Sequence, residues 1–398
     1  MPVWREGMKV LVIGAGMYVT GRDGTGPGTV LSSLAQTSKA LPIEEVTVVA
    51  TSPANAATVD AAAARINATI GSDLKVRYRA IARTVDDEIA ALCSDARYDC
   101  AIVSVPDHLH FAYARAILRQ AVHCLVVKPL TPTLAEAREL ERIRAENGLY
   151  GVVEFHKRWD ATNLWVRREL ESRTLGKLLY FTVEYSQRIT IPWTTFRSWS
   201  SRTNIFQYLG VHYVDLIWFL TRCVPIRAMA VGTEGTLRRH GIDTWDSVHA
   251  TVIWQNPADK ADRFVSQISV NWIDPACSSA MSDQKFSVIG TRGRIQCDQK
   301  NRGLEVVHED LGIQQINPYF SDYLPDVDGQ LAFRGYGHES IDQFVRDVFD
   351  VVSRRVDAAE LRGNRPTMRE ALVSTAVVDA VNQSLAENSS WKDMRDPV

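Results

Sequence analysis

The chain predicts a doubly wound α/β domain followed by a mainly antiparallel α+β domain with helices, on three observations. Up to about residue 155, short continuous apolar runs alternate with helix-periodic segments. A Gly14-Ala15-Gly16 turn stands directly after the first of these runs. Beyond Phe155, β-rich runs follow one another without alternating helices. Strands covered on both faces need unbroken apolarity, whereas successive strands without crossover helices pair antiparallel. At 398 residues the chain is long enough for two cores. The expected division is 1–155 and 156–398, with the C-terminal helix free to pack back on the first domain.

The five runs read as parallel strands are Val10-Leu11-Val12-Ile13, Val46-Thr47-Val48-Val49, Cys100-Ala101-Ile102-Val103-Ser104-Val105, Cys124-Leu125-Val126-Val127 and Tyr150-Gly151-Val152-Val153-Glu154-Phe155. Between them, the Ala-rich stretch 54–64 reads as helix. Residues 134–147 give the clearest helix, with Thr133 as N-cap, Glu136 at the capping-box position and Gly148 at the C′ turn. After Phe155 a helix is expected over 161–172, then strands within 178–186, 226–233, 247–254, 264–272 and 285–297. Helices over 338–352 and 368–387 close the chain.

Composition excludes several classes. A formal charge of −2 carries no footprint of nucleic acid or anionic membrane, and no apolar stretch is long enough to span a bilayer. The six cysteines stand far apart, some inside apolar runs. They read as reduced, buried thiols rather than a disulfide framework or a zinc site, so no metal is expected and the cytoplasm is the expected compartment.

At the first turn, Gly14 and Gly16 would let backbone approach a pyrophosphate, with Met17 and Tyr18 opening the helix behind them. Val19 holds the third glycine position of GxGxxG, and a Gly-rich stretch over 20–29 enlarges the turn. The second run ends Ala50-Thr51-Ser52, with no acidic residue for an adenosine ribose diol. That disfavours strict NAD preference and leans toward NADP, whose 2′-phosphate Thr51 and Ser52 could bind, with Arg22 as a candidate cation because Arg65 is the next arginine. Pro106 and His110 close the Cys100 run, where His110 either meets cofactor or caps a helix.

Two further residues carry the chemistry. Lys128 closes the Cys124 run just before Pro129, and His212 lies in Leu209-Gly210-Val211-His212-Tyr213-Val214-Asp215. Oxidising a secondary alcohol needs a base for the hydroxyl proton while hydride leaves the same carbon. His212 is read as the group exchanging the proton and Lys128 as orienting the oxygen, or the reverse. Tyr208, one helical turn before His212, could extend a relay or simply pack. Asp215 could orient the His212 ring or bind substrate, or simply cap locally. Arg158, Trp193, Arg197, Trp199 and Arg202 could line a polyol site, against the plainer reading of each tryptophan as packing.

These residues resemble the glucose-fructose oxidoreductase, inositol dehydrogenase and MocA (Gfo/Idh/MocA) family. The resemblance rests on Gly14/Gly16, Pro106/His110, Lys128-Pro129, Lys157-Arg158-Trp159-Asp160 and Gly210-Val211-His212-Tyr213-Val214-Asp215. Phe286-Ser287-Val288-Ile289-Gly290-Thr291-Arg292-Gly293 and Glu370-Ala371-Leu372 with Asp379-Ala380 add to it. It implies a Rossmann domain, NAD or NADP as cofactor and hydride transfer on a sugar, cyclitol or sugar derivative. It also implies a homodimer or homotetramer assembled through the second sheet. Two departures stand out: Val127 replaces the family's glutamate before the lysine, and Tyr208 replaces the aspartate of inositol-type members. The wording around His212 is also similar to nucleotide-sugar 3-dehydrogenases. Other relatives imply an NAD-assisted glycosidase, or a catalytically silent dinucleotide sensor.

Overall fold

The computed structural model describes residues 7–22, 26–361 and 365–394, and of Arg22 only the backbone. Six parallel strands form the first sheet in the order Val76–Ala80, Ile43–Ala50, Met8–Ile13, Cys100–Val103, His123–Val127, Gly151–Glu154. Every residue of Cys100–Val103 is fully buried, as continuous apolarity requires of a central strand. The edge strand Val76–Ala80 is an addition to the five expected runs. Its Val-Arg-Tyr-Arg-Ala alternation carries charge, with Arg77 paired to Glu45 at 2.8 Å and Arg79 to Glu88 at 3.2 Å. Charge on an edge blunts pairing with other chains.

Helices connect the strands. Asn55–Ile70 runs beyond the expected 54–64 and stops at Gly71, whose φ is +63°. Leu134–Glu146 ends as expected, with Gly148 at φ +60° and the Leu149 N–H donating to the Arg144 carbonyl at 3.0 Å.

The chain forms two compact units. The first comprises residues 1–131, 135–160 and 319–371. The last of these segments, which the sequence reading assigns to the second domain, therefore groups with the first. Its helix Tyr336–Val352 places Ile341, Phe344, Val345 and Val348 in one hydrophobic cluster with Val10, Val12, Leu34 and Ile102. That apolar stripe at helical spacing covers a sheet face. Asp347, 4% exposed, is held by the Tyr150 hydroxyl at 2.7 Å and by two Arg365 nitrogens at 2.9 and 3.0 Å.

The second unit is built on a seven-stranded sheet, ordered Gly293–Asp298, Ser282–Gly290, Leu178–Arg188, Asp259–Asp274, Ser247–Asn256, Val224–Thr233, Lys392–Asp393. All neighbours are antiparallel except Leu178–Arg188 with Asp259–Asp274. The expected run 285–297 is two strands, because the chain reverses at Thr291-Arg292. A Cβ on Gly290 would stand 2.3 Å from the Leu175 carbonyl, so this corner admits only glycine. The buried indoles of Trp254 and Trp272 donate to Ser266 Oγ at 2.8 Å and to Gln187 Oε1 at 2.7 Å.

All six cysteines are free; Cys100, Cys124, Cys223 and Cys297 are buried, Cys93 is half-buried and Cys277 is exposed, so the expected buried thiols are found at four of the six positions. Among the described residues no helix is long and apolar enough to cross a membrane.

Candidate functional site

Parallel strands bring their carboxyl ends to one edge, and in the first unit that edge collects the candidate residues. The order reverses around Met8–Ile13, which has Ile43–Ala50 on one side and Cys100–Val103 on the other. Gly14 leaves the central strand at φ +109°, and a Cβ there would lie 2.0 Å from the Ser104 carbonyl oxygen. A Cβ on Gly16 would meet nothing within 4 Å, so space lies open in front of the turn. A cradle of this kind fits a dinucleotide's pyrophosphate, which needs backbone without side chains.

The helix behind the turn is a single turn, Met17–Thr20, followed by the small pair Gly21–Arg22 and Gly26–Pro27 and then the helix Thr29–Ser38. Val19 is fully buried, and the close approach occurs at Gly28, where a Cβ would lie 2.3 Å from the Val19 carbonyl oxygen. Gly28 is a residue that motif spacing missed; the signal available was its place at the end of the Gly-rich stretch, immediately before a helix-periodic segment. Thr51 and Ser52 are exposed beyond the second strand, and Tyr78 donates to the Ala50 and Ser52 carbonyls. Arg65 donates to the Thr20 carbonyl at 3.1 Å, tying the third helix to that turn. The Arg22 side chain, named as a partner for a 2′-phosphate, lies outside the described residues.

Lys128 follows His123–Val127 and is 8% exposed. Burial pulls its ammonium down to a pKa of about 7, opposed by the carboxylates of Asp107 and Glu154. Those two groups bear on the departure at Val127. Glu154 ends the neighbouring strand, paired in register with Val127, so the carboxylate missing before the lysine is replaced from the next strand. Glu154 is 1% exposed and held by Ser340 Oγ at 2.8 Å and His156 Nδ1 at 3.0 Å. A lone acid inside the run Gly-Val-Val-Glu-Phe was the sequence signal for it.

Pro106 leads into a short turn, Asp107–Leu109, and His110 opens the helix His110–Arg119. The His110 ring is 1% exposed, with Nδ1 2.7 Å from the Pro129 carbonyl oxygen and Nε2 2.9 Å from that of Val105. This ring joins the ends of two strands and fixes the backbone that carries Lys128.

Arg158 is 2% exposed, and its guanidinium meets the Glu370 carboxylate at 2.6 Å. That commitment favours a structural role over contact with substrate. Arg158→Ala is expected to lower stability by about 3 kcal/mol, as for breaking a buried pair, with KM unchanged. Thermal unfolding beside steady-state kinetics checks this, and a raised KM at unchanged Tm would restore the substrate reading.

In the second unit, Tyr208 lies in the wide helical turn Phe206–Gly210, which runs into the helix Val211–Thr221 carrying His212 and Asp215. His212 is 3% and Asp215 2% exposed. Tyr208 stands within an aromatic group of Phe196, Trp199 and Trp272, at centroid distances of 5.3, 6.0 and 5.6 Å. Trp193 lies apart from that group, against the His240 ring at 4.1 Å, and Arg197 donates to the His240 carbonyl at 3.0 Å. Arg202 is exposed. The structure thus gathers Trp199 with Tyr208 and sets Trp193 and Arg197 together elsewhere.

Fold and site define a two-unit protein whose first unit is a Rossmann-type nucleotide-binding fold. Residues 8–155 match an oxidoreductase family described by its NAD-binding Rossmann fold, and 164–296 match the C-terminal domain of the same family. The chain belongs to the Gfo/Idh/MocA oxidoreductase family. The Escherichia coli K12 oxidoreductase YdgJ is 33% identical over 104 residues, 26% of this chain and 30% of that protein. The scyllo-inositol 2-dehydrogenase (NADP(+)) IolW of Bacillus subtilis is 23% identical over 171 residues, 42% of this chain and 45% of that protein. The chain thus matches less than half the length of either relative. A crystal structure of scyllo-inositol dehydrogenase from Lactobacillus casei, with NAD(H) and scyllo-inositol, shares the fold at a TM-score of 0.66 and 14% identity, over 97% of this chain and 99% of that one.

Proposed function

We propose that the protein is an NAD(P)-dependent dehydrogenase or reductase acting on a secondary alcohol or ketone of a sugar, cyclitol or sugar derivative. The observation that carries the reading is Lys128, buried at the carboxyl edge of the Rossmann-type sheet with its pKa near neutrality. A lysine that shifts between charge states at working pH is a proton-exchanging group. Among relatives, IolW is named for scyllo-inositol and NADP.

Bound dinucleotide would be held by the backbone of Gly14, Gly16, Met17 and Tyr18 with Thr51, Ser52 and Pro106 along the same edge, and its nicotinamide would supply the hydride acceptor or donor. His110 acts by holding the Lys128 backbone. Neutral Lys128 takes the hydroxyl proton when alcohol is oxidised, and its ammonium returns it when ketone is reduced. Of the two assignments left open from sequence this takes the second, because a lysine brought down to about 7 can exchange a proton at working pH. His212, with Tyr208 and Asp215, is the second polar group proposed to meet substrate, alongside Trp199. No acidic residue follows the second strand at Ala50-Thr51-Ser52 to hold a ribose diol, so the reading leans to NADP over NAD, to be read from the ratio of kcat/KM for the two.

The two carboxylates give a separate test. Asp107 and Glu154 both hold the Lys128 pKa up. Asp107→Asn and Glu154→Gln are each expected to move the pH limb of alcohol oxidation toward acid by about one unit. A limb that stays in place or moves toward base removes the carboxylates from the lysine's control.

The glycosidase and sensor alternatives differ in cofactor traffic. Either would retain bound dinucleotide without net reduction of added cofactor, which a dehydrogenase carries out with stoichiometric product. Assembly as a homodimer or homotetramer through the second sheet is part of the same proposal, read by light scattering.

A further inference from the structure

The second unit contains a cavity of about 380 Å³ lined by Arg202, Asn204, Gln207, Arg238, Trp245 and Asn382, among others. None of Tyr208, His212, Trp193 or Trp199 lines it. Its walls come from segments far apart in sequence, around 201–207, 234–245 and 382, and hydrogen bonds fix them to one another. Asn204 Nδ2 donates to Asn382 Oδ1 at 2.7 Å, and Asn382 Nδ2 donates to Gln207 Oε1 at 3.0 Å. Asn204 Oδ1 accepts the Gln207 backbone N–H at 2.9 Å, closing a ring of three amides. Thr244 Oγ1 donates to the Thr203 carbonyl at 2.7 Å, and the Asp243 backbone N–H to Ser201 Oγ at 3.1 Å. Such walls are already ordered before any ligand arrives, which lowers the entropy lost on binding.

The lining also specifies what fits. Its two cations, Arg202 and Arg238, are matched by two carboxylates, Glu234 and Asp243. Arg238 bonds both of them, to Asp243 at 3.0 Å and to Glu234. A charge-balanced wall gives no net attraction to an anion or a cation. An apolar ligand would strip water from amides without replacing its hydrogen bonds, which is unfavourable. Each primary amide has two N–H groups, and the ring uses one from Asn204 and one from Asn382, leaving a donor on each. The half-buried indole of Trp245 adds a flat apolar surface to the wall. Hydroxyls that donate and accept, on a ring with a C–H face, match this mixture. The volume suits one or two such rings, at the lower end of the range of about 300–1,000 Å³ for ligand sites.

We propose that this cavity is a binding site for a neutral polyhydroxylated ring, a sugar or cyclitol, distinct from the residues assigned to proton transfer. It does not depend on the dehydrogenase reading, since binding here needs neither Lys128 nor His212. The test is isothermal titration of the full chain with myo-inositol, methyl α-D-glucoside and maltose, beside glucose 6-phosphate and inorganic phosphate. At least one neutral probe is expected to bind in the millimolar range. Trp245→Ala and Asn382→Leu should each weaken it about tenfold or more, Trp245→Phe should keep most of it, and Lys128→Ala should leave it unchanged. Unfolding curves separate lost binding from lost fold, and the Phe variant keeps the test open if the Ala variant does not fold. Absence of binding by all three neutral probes overturns the proposal. So does binding of the phosphorylated probes alone, or binding that Trp245→Ala leaves intact while Lys128→Ala abolishes it.

Discussion

Lys128→Ala is expected to lower kcat/KM for hydride transfer by about 10³-fold, in the range typical of a lost general acid or base, while the protein stays folded. Removing the ammonium ends its own desolvation penalty but leaves the buried carboxylates of Asp107 and Glu154 without it, so thermal unfolding is read beside the rates. The sign of the pH dependence follows from a pKa of about 7. Alcohol oxidation needs the neutral amine, so its rate rises as pH climbs through that value. Ketone reduction needs the ammonium, so its rate falls over the same interval. Both limbs should vanish in the alanine variant. Lys128→Arg should be nearly as slow, because guanidinium stays charged at all working pH. Profiles of kcat/KM in both directions for the three proteins check this.

The second large effect separates two glycines that a motif treats alike. Gly14→Ala is expected to destabilise the fold by about 3 kcal/mol or more, because it combines backbone at φ +109° with a Cβ 2.0 Å from the Ser104 carbonyl oxygen. Gly16 has φ −77°, ordinary for any residue, and open space where its Cβ would stand. Gly16→Ala should leave Tm within about 1 °C of the parent, yet weaken dinucleotide binding by about tenfold or more, since the methyl occupies the space that backbone must offer to phosphate. Thermal unfolding with and without dinucleotide reads both. Equal loss of Tm in the two variants would show that Gly16 is structural as well.

The first sheet was legible because its strands are covered on both faces, and unbroken apolarity admits few other readings. Val76–Ala80 escaped because an edge strand needs only alternation, here Val-Arg-Tyr-Arg-Ala, and so lacks the continuous apolar run by which the other five were read. The placement of 319–371 with the first unit was illegible for another reason. The stripe Ile341, Phe344, Val345, Val348 shows that a helix must bury one face, but not which sheet receives it. At the site, Lys128 and the GxG turn were readable from position relative to strands. Glu154 and Gly28 act through register and close approach, which exist only once strands pair and helices pack. Arg158 shows the converse: a guanidinium beside an aromatic residue suits ligand binding or an internal ion pair equally well in sequence, and the structure puts it against Glu370.

The most direct test of the central claim is reduction of NAD and of NADP by the purified full chain, with scyllo-inositol, myo-inositol, glucose and UDP-glucose as donors, the parent beside Lys128→Ala. The expected result is stoichiometric reduced cofactor with at least one donor, a slower rate when the reacting carbon carries deuterium, and loss of that turnover in the lysine variant. Turnover of the same donor at the parent rate by Lys128→Ala would contradict the assignment of proton exchange to Lys128. Firmly bound dinucleotide with no net reduction by any donor would contradict the dehydrogenase reading itself.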